Sequence, residues 1–222
     1  AHDFPFTTME CGLAPVFLRL DATRAATAAV VTIHNLAYRG IFAKSAVLDI
    51  GLPWALFTHH QLEFWDQLSF LKGGLAFADA ITTVSPTYAA EIVTPARGEG
   101  LHDFLRWDVP PVVGILNGID DSVWNPLDDV EIAAPYSADD RSGKALCRRA
   151  LAQELGLVVD ARTPLIAVVA RLTAQKGIDL VAELVPALEN LDARLVILGS
   201  GEHVYEDRLR WLAERFADHL RV

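Results

Sequence analysis

The chain has 222 residues, enough for one large domain or two small ones. With 52% apolar and 22% charged residues it can bury a core, which excludes wholesale disorder. The net charge of −10, from 29 acids against 19 Lys and Arg, argues against nucleic acid as a partner but leaves room for a local phosphate pocket. The longest largely apolar run, Ala25–Ile33, contains Thr27 and Thr32 and falls far short of the ~20 residues of a bilayer span, so no membrane partner is expected. Cys11 and Cys147 offer neither metal spacing nor a disulfide framework, a pattern that suits a reducing compartment.

Both ends read as interior sequence. No basic stretch leads into an apolar signal core, His2-Asp3 resembles a loop leaving a strand, and Leu220-Arg221-Val222 resembles the first residues of one. The expectation is the middle of a longer chain, with a complete small protein as the alternative.

In chain order, the β-branched run Ala28–His34 predicts a strand ending in the polar loop His34–Gly40. Phe64, Leu68, Leu71 and Leu75 predict one helix over 61–78 with a single buried face. Gly73-Gly74 inside it would each cost ~1 kcal/mol relative to Ala, which points to close approach of another backbone or a ligand. Ala80–Val84 reads as a strand, and Ser85-Pro86 as a helix start with Ser at the N-cap and Pro in the first turn. A short helix over Gly100–Trp107 and a strand over Val112–Leu116 follow, the latter ended by Asn117-Gly118, a pair suited to positive φ.

From Asp120 to Ser142 no apolar period survives, which predicts a linker or a surface crossing. A helix over 143–156 is then expected, with Leu146, Ala150, Leu151 and Leu155 on one face and Gly156 as its stop. Strands Leu165–Val169 and Arg194–Leu198 alternate with helices, the last carrying Leu209, Leu212, Ala213 and Phe216. Continuous apolar strands between helices predict a parallel sheet covered on both faces. The division is therefore 1–125 as one α/β half, 126–142 as the crossing, and 143–222 as a second half, whose few strands are too few to hold a sheet well when alone.

Ligands of α/β sheets bind beyond the carboxyl ends of the strands, and three polar loops fall there. In Ala170–Gly177, Arg171 offers a planar fork of donors and Lys176 a compact charge, with a glycine and a helix start behind them. Two cations there could neutralise a diphosphate without a metal; the same residues also read as a solvated surface loop. His34 follows a strand as a candidate imidazole or a satisfied structural one, and Asn117-Gly118 is a candidate contact or a plain turn. His2-Asp3 is a candidate through its position alone. Gly199-Ser200-Gly201 is too short to define a dinucleotide site.

Four stretches carry a resemblance: TIHNLAYRG (32–40), LSFLKGGLAFADAITTVSPTYAAEI (68–92), GILNGIDDSVWNP (114–126) and VVARLTAQKGIDLV (168–181). In order and near-spacing they resemble bacterial glycogen synthases and plant starch synthases. The resemblance implies an α/β fold of GT-B type, two Rossmann-like halves with the active site in the cleft between them, both truncated in this chain. It implies transfer of glucose from ADP-glucose to the non-reducing 4-OH of an α-1,4-glucan (glycogen or starch), with retention of configuration. It further implies that Arg171 and Lys176 hold the diphosphate, that His34, Asn117 and Gly118 meet the donor glucose, and that Asp3 lines the sugar pocket, with no cofactor and no metal. A bacterial cytoplasm is favoured over a plastid. Alternatives in view are another retaining GT-B transferase and a non-catalytic glucan- or nucleotide-binding module. The sequence departs from the family at Phe4, where Trp is usual, at the seven residues Pro5–Cys11 before Gly12-Leu13, at Arg39 for Gln and at Arg97 for Tyr. The family's N-terminal Lys-x-Gly-Gly-Leu loop and its C-terminal acidic motif are expected outside residues 1–222, which leaves the chain alone without turnover.

Overall fold

A computed structural model describes residues 11–222. Contacts divide the chain into two compact units, one ending at Gly118 and the other covering Ile119–Val222. Residues 119–142 thus group with the second unit, whereas the sequence pattern sets the first half to 125 and a crossing after it.

In the first unit, helix α1 (Ala14–Leu20) precedes strand β1 (Val30–Ile33), and strand β2 (Ile41–Ala43) and helix α2 (Ala46–Asp49) follow. The predicted helix over 61–78 is half hairpin: strand β3 (Glu63–Phe64) turns into strand β4 (Gln67–Ser69) before helix α3 (Phe70–Ala76) begins. Glu63 pairs with Leu68 and Phe64 with Gln67, leaving Trp65 and Asp66 as a two-residue turn with φ of 53° and 61°. Both central residues at positive φ are what a hairpin of this length requires, and Asn-Gly would normally announce it. Trp-Asp does not. The apolar stripe is still buried, because Leu68, Leu71 and Leu75 are all fully covered.

Helix α3 starts where the Ser69 side chain accepts the Lys72 N–H. The glycine pair does what its position implied, since a Cβ on Gly74 would lie 2.0 Å from the Gly12 carbonyl oxygen and one on Gly73 2.5 Å from Leu62 Cδ2. The close approach is to this chain's own backbone and core.

Strand β5 (Ala80–Thr83) follows, then helix α4 (Pro86–Ile92), which begins as predicted with Ser85 accepting the Tyr88 N–H and Pro in the first turn. Helix α5 (His102–Trp107) and strand β6 (Val112–Gly114) complete the unit. Strands β1, β5 and β6 form a parallel sheet in that order, with Val31 opposite Ile81 and Ile81 opposite Val112. Val31, Ile33 and Ile81 point into a core with Leu71, Leu75, Ile92 and Phe104. Strands β2, β4 and β3 form a small antiparallel sheet over a second core containing Val16, Leu52, Leu62 and Leu68. Asn117 and Gly118 do not take the predicted positive-φ turn; neither has positive φ, and a Cβ on Gly118 would meet only open space.

The second unit has helix α6 (Ser142–Glu154), strand β7 (Leu165–Val169), helix α7 (Ile178–Leu184), strand β8 (Arg194–Leu198), helix α8 (His203–Arg215) and strand β9 (Leu220–Arg221). The strands are parallel in the order β7, β8, β9. Leu195, Ile197, Leu209, Leu212 and Leu220 form its core with Ile178, Ala182 and Val185. Helix α6 departs from its predicted face: Leu146 and Leu151 are exposed, and Gly143 and Ala152 are the buried positions. Arginines tie it down instead of an apolar stripe. Arg148 donates to the carbonyls of Asp160 and Thr163, and Arg221 to those of Leu155 and Gly156 just past the helix end. Coverage of both sheet faces also fails at β7, an edge strand that leaves Ile166 and Val169 exposed.

Candidate active-site loops

The predicted residues of the first unit lie beyond the carboxyl ends of its parallel strands. His34 directly follows β1, at an end fixed by the Thr83 hydroxyl donating 2.6 Å to the Ile33 carbonyl. Its loop is pinned from several sides. Leu36 is fully buried and its N–H donates to the Tyr88 hydroxyl at 3.0 Å, while Ala37 N–H donates to Asn35 Oδ1 at 3.0 Å. The far end is held by Ser69 Oγ donating to the Arg39 carbonyl at 3.0 Å. The His34 side chain itself stays exposed, an arrangement of fixed backbone and accessible imidazole.

Asn117 and Gly118 follow β6 and are exposed. Because β5 lies between β1 and β6, His34 and Asn117 both follow carboxyl ends of one sheet, on strands separated by a single neighbour. Asp120 closes the turn after them: its carboxylate accepts from the Ser122 hydroxyl at 2.6 Å and from the Ser122 N–H at 3.1 Å, which holds it below the usual carboxylate range. His2 and Asp3 lie outside the described residues.

In the second unit the loop after β7 is built against the loop after β8. Ala170 N–H donates to Leu198 O at 3.1 Å, Leu172 N–H to Ser200 O at 2.9 Å and Glu202 N–H to Leu172 O at 2.9 Å. Gly199 and Gly201 are the residues this contact demands, because a Cβ on either would fall 1.9 Å from the Ala170 oxygen or 2.3 Å from the Leu172 oxygen. The Gly-Ser-Gly pattern therefore serves packing. Leu172 is buried beneath, and Arg171 and Lys176 are exposed on the loop's outside.

Residues Ala174–Lys176 form a single 3-10 turn ended by Gly177 at φ +68°, which then starts α7. Gly177 is needed for that backbone angle, not for the close approach expected of it, since its nearest neighbour would be Leu180 Cδ1 at 3.7 Å. Asp179 occupies the first turn of α7 and offsets part of the positive end of that helix. The cationic character of the loop thus rests on Arg171 and Lys176. Glu206 faces the same edge: it accepts the Gly201 N–H and an Arg210 donor, each at 2.9 Å, and these contacts hold its carboxyl below its ordinary value.

Two first-unit residues were not legible as site-building. Lys72 is buried, with Nζ donating to the carbonyls of His59 and Glu63 and lying 4.9 Å from the Phe104 ring centroid. Arg39 donates to the Glu99 carbonyl at 3.0 Å and its carboxylate at 2.9 Å, and stands 5.4 Å over the Phe64 ring. The only signals were a lysine inside an apolar helix and an arginine closing the His34 loop.

Among the described residues no group of three or more His, Cys, Asp or Glu side chains is placed to hold a metal ion, and no helix is long and apolar enough to cross a membrane. Two α/β units with parallel sheets and polar loops beyond their strand ends define a glycosyltransferase fold of the GT-B class, matched at a TM-score of 0.85 by the catalytic domain of starch synthase IV from Arabidopsis thaliana bound to ADP and acarbose. That structure is 32% identical, and the match covers 94% of this chain and 44% of that one. The profile of the starch synthase catalytic domain matches residues 2–107. A glycogen synthase of Anaeromyxobacter dehalogenans is 48% identical over 95% of this chain and 45% of its own length, and one of Cellvibrio japonicus 47% identical over 96% and 44%. The chain belongs to the glycogen and starch synthase family, and it spans under half the length of these relatives.

Proposed function

We propose that this sequence serves a glucan synthase that transfers glucose from ADP-glucose to the non-reducing 4-OH of an α-1,4-glucan with retention. The observation that carries the reading is the loop after β7, which exposes Arg171 and Lys176 on a backbone held from behind. It is supported by identity near half to bacterial glycogen synthases and by a fold neighbour described as bound to ADP.

As the bond between the anomeric carbon and the diphosphate oxygen breaks, negative charge grows on departing ADP and positive charge on the sugar. Arg171 and Lys176 meet the first, as positive charges carried on a loop whose backbone is set beforehand. His34, Asn117 and Gly118 contact the donor glucose, with His34 toward its reacting face, and Asp3 lines the sugar pocket. In this reading the two cations take the part a metal would play, and no cofactor takes part. The partners are ADP-glucose and glycogen or starch, and the setting is a bacterial cytoplasm. Labelled glucose supplied as ADP-glucose or UDP-glucose to a full-length enzyme carrying this sequence, with glycogen as acceptor, tests it. Transfer from ADP-glucose is expected, and transfer from neither donor, or from UDP-glucose alone, overturns the reading.

A further inference from the structure

The turn between β3 and β4 places a large aromatic side chain where the backbone resists one. Among the described residues four non-glycine positions have positive φ, and three of them, Trp65 at 53°, Asp66 at 61° and Glu99 at 49°, belong to this turn and the loop beside it. Such angles cost free energy for any residue with a Cβ, and packing is not what offsets that cost at Trp65, whose side chain is 79% exposed. The indole is nevertheless oriented. Phe64 meets it edge-on with ring centroids 6.4 Å apart, and Gly100 leaves the space beside it, since a Cβ there would touch Phe64 at 3.0 Å and Trp65 Nε1 at 3.5 Å.

The rim is charged but neutral in sum. Arg39 pairs with Glu99 at 2.9 Å on one side and Lys44 with Asp66 at 2.7 Å on the other, and Glu63 is answered by the buried Lys72 behind the turn. A rim without net charge does not select a phosphate, a nucleic acid or an anionic surface. It offers fixed donors and acceptors around an aromatic face, which suits a neutral polyhydroxylated ring whose C–H bonds face the π-cloud.

We propose that the indole face of Trp65 is a stacking platform for a pyranose ring of an α-1,4-glucan chain. The choice of sugar rests on the transferase reading above; the platform itself rests on the turn. The platform adjoins the loop that carries His34, through Arg39 at that loop's end, which stands over Phe64.

The test is a calorimetric titration of the protein with maltoheptaose. Trp65→Gly removes the ring while giving the turn the residue its φ prefers, so thermal stability is expected to hold or rise while glucan affinity falls roughly tenfold or more. Trp65→Tyr keeps a ring and is expected to retain most of the affinity. Trp124→Ala removes an equally exposed tryptophan, 77% accessible, and is expected to change nothing. Unaltered binding by Trp65→Gly, no binding by the parent, or an equal loss in Trp124→Ala would overturn the proposal. ADP is titrated separately into a full-length enzyme carrying this sequence: if maltoheptaose binds through Trp65 and ADP does not bind at all, the transferase reading falls and the platform stands.

Discussion

Arg171 and Lys176 stand five positions apart on a loop whose backbone at Ala170 and Leu172 is bonded to the neighbouring loop, so the loop is set before any ligand arrives while both side chains stay exposed. Removing either from a full-length enzyme is expected to act on the step in which ADP leaves. Arg171→Ala or Lys176→Ala should cost ~3–4 kcal/mol of transition-state stabilisation, about 10²–10³ in rate, read in a transfer assay. A rate within twofold of the parent would refute the assignment. Lys72 makes the contrasting case of a cation spent on structure. Burial lowers its pKa from 10.5, so between the folded value and 10.5 the unfolded chain binds more protons and stability rises with pH. Lys72→Ala removes the donor to the His59 and Glu63 carbonyls and the packing of a buried side chain, and should destabilise by ~2–3 kcal/mol at neutral pH. The gap to the parent should widen toward pH 10.5 in denaturant titrations; a gap that shrinks there contradicts the account. Neither role follows from residue type. What was legible was the loop bearing Arg171; what was not was that a lysine four residues after Leu68 turns inward.

At the scale of elements, the clearest lesson lies in residues 61–78. Phe64, Leu68, Leu71 and Leu75 have helical spacing, and three of them are fully buried, yet two sit on strands. The period was satisfied by a hairpin followed by a helix, and the hairpin was not legible because the turn residues Trp65 and Asp66 carry no glycine or asparagine to announce it. The glycine pair was readable as a close approach of another backbone or a ligand, and the neighbours are the Gly12 backbone at Gly74 and the Leu62 side chain at Gly73. Gly74→Ala would drive a methyl group into the Gly12 carbonyl, where helix and chain entry cannot both stay in place. It is expected to lower stability by about 2–3 kcal/mol or more, measured by urea titration, and an unchanged midpoint would show that the contact yields freely. Helix α6 failed as an amphipathic prediction. Its apolar period was readable, but Leu146 and Leu151 stay exposed, and the attachment runs through Arg148 and Arg221 to backbone carbonyls instead.

At the scale of the molecule, each unit has its own core and its own parallel sheet. The alternation of apolar strands and helices made that class legible, because buried parallel strands must be apolar on both sides. The point of division was less so, since residues 119–142 have no period but still count with the second unit. The second sheet ends on a two-residue strand, and its other edge strand exposes Ile166 and Val169. Amides of Ile166–Val169 are therefore expected to lose hydrogen-exchange protection at lower urea than those of Ile81–Thr83. One common transition for both sets would contradict this.

In the proposed function, the exposed cations after β7 serve glucosyl transfer from an adenosine diphosphate sugar. Its most direct test is transfer of labelled glucose to glycogen by a full-length enzyme carrying this sequence, with ADP-glucose and UDP-glucose offered in parallel. Label entering glycogen from ADP-glucose, and lost to the same degree in Arg171→Ala and Lys176→Ala, is the expected result. Transfer from neither donor, or transfer indifferent to both substitutions, would contradict it.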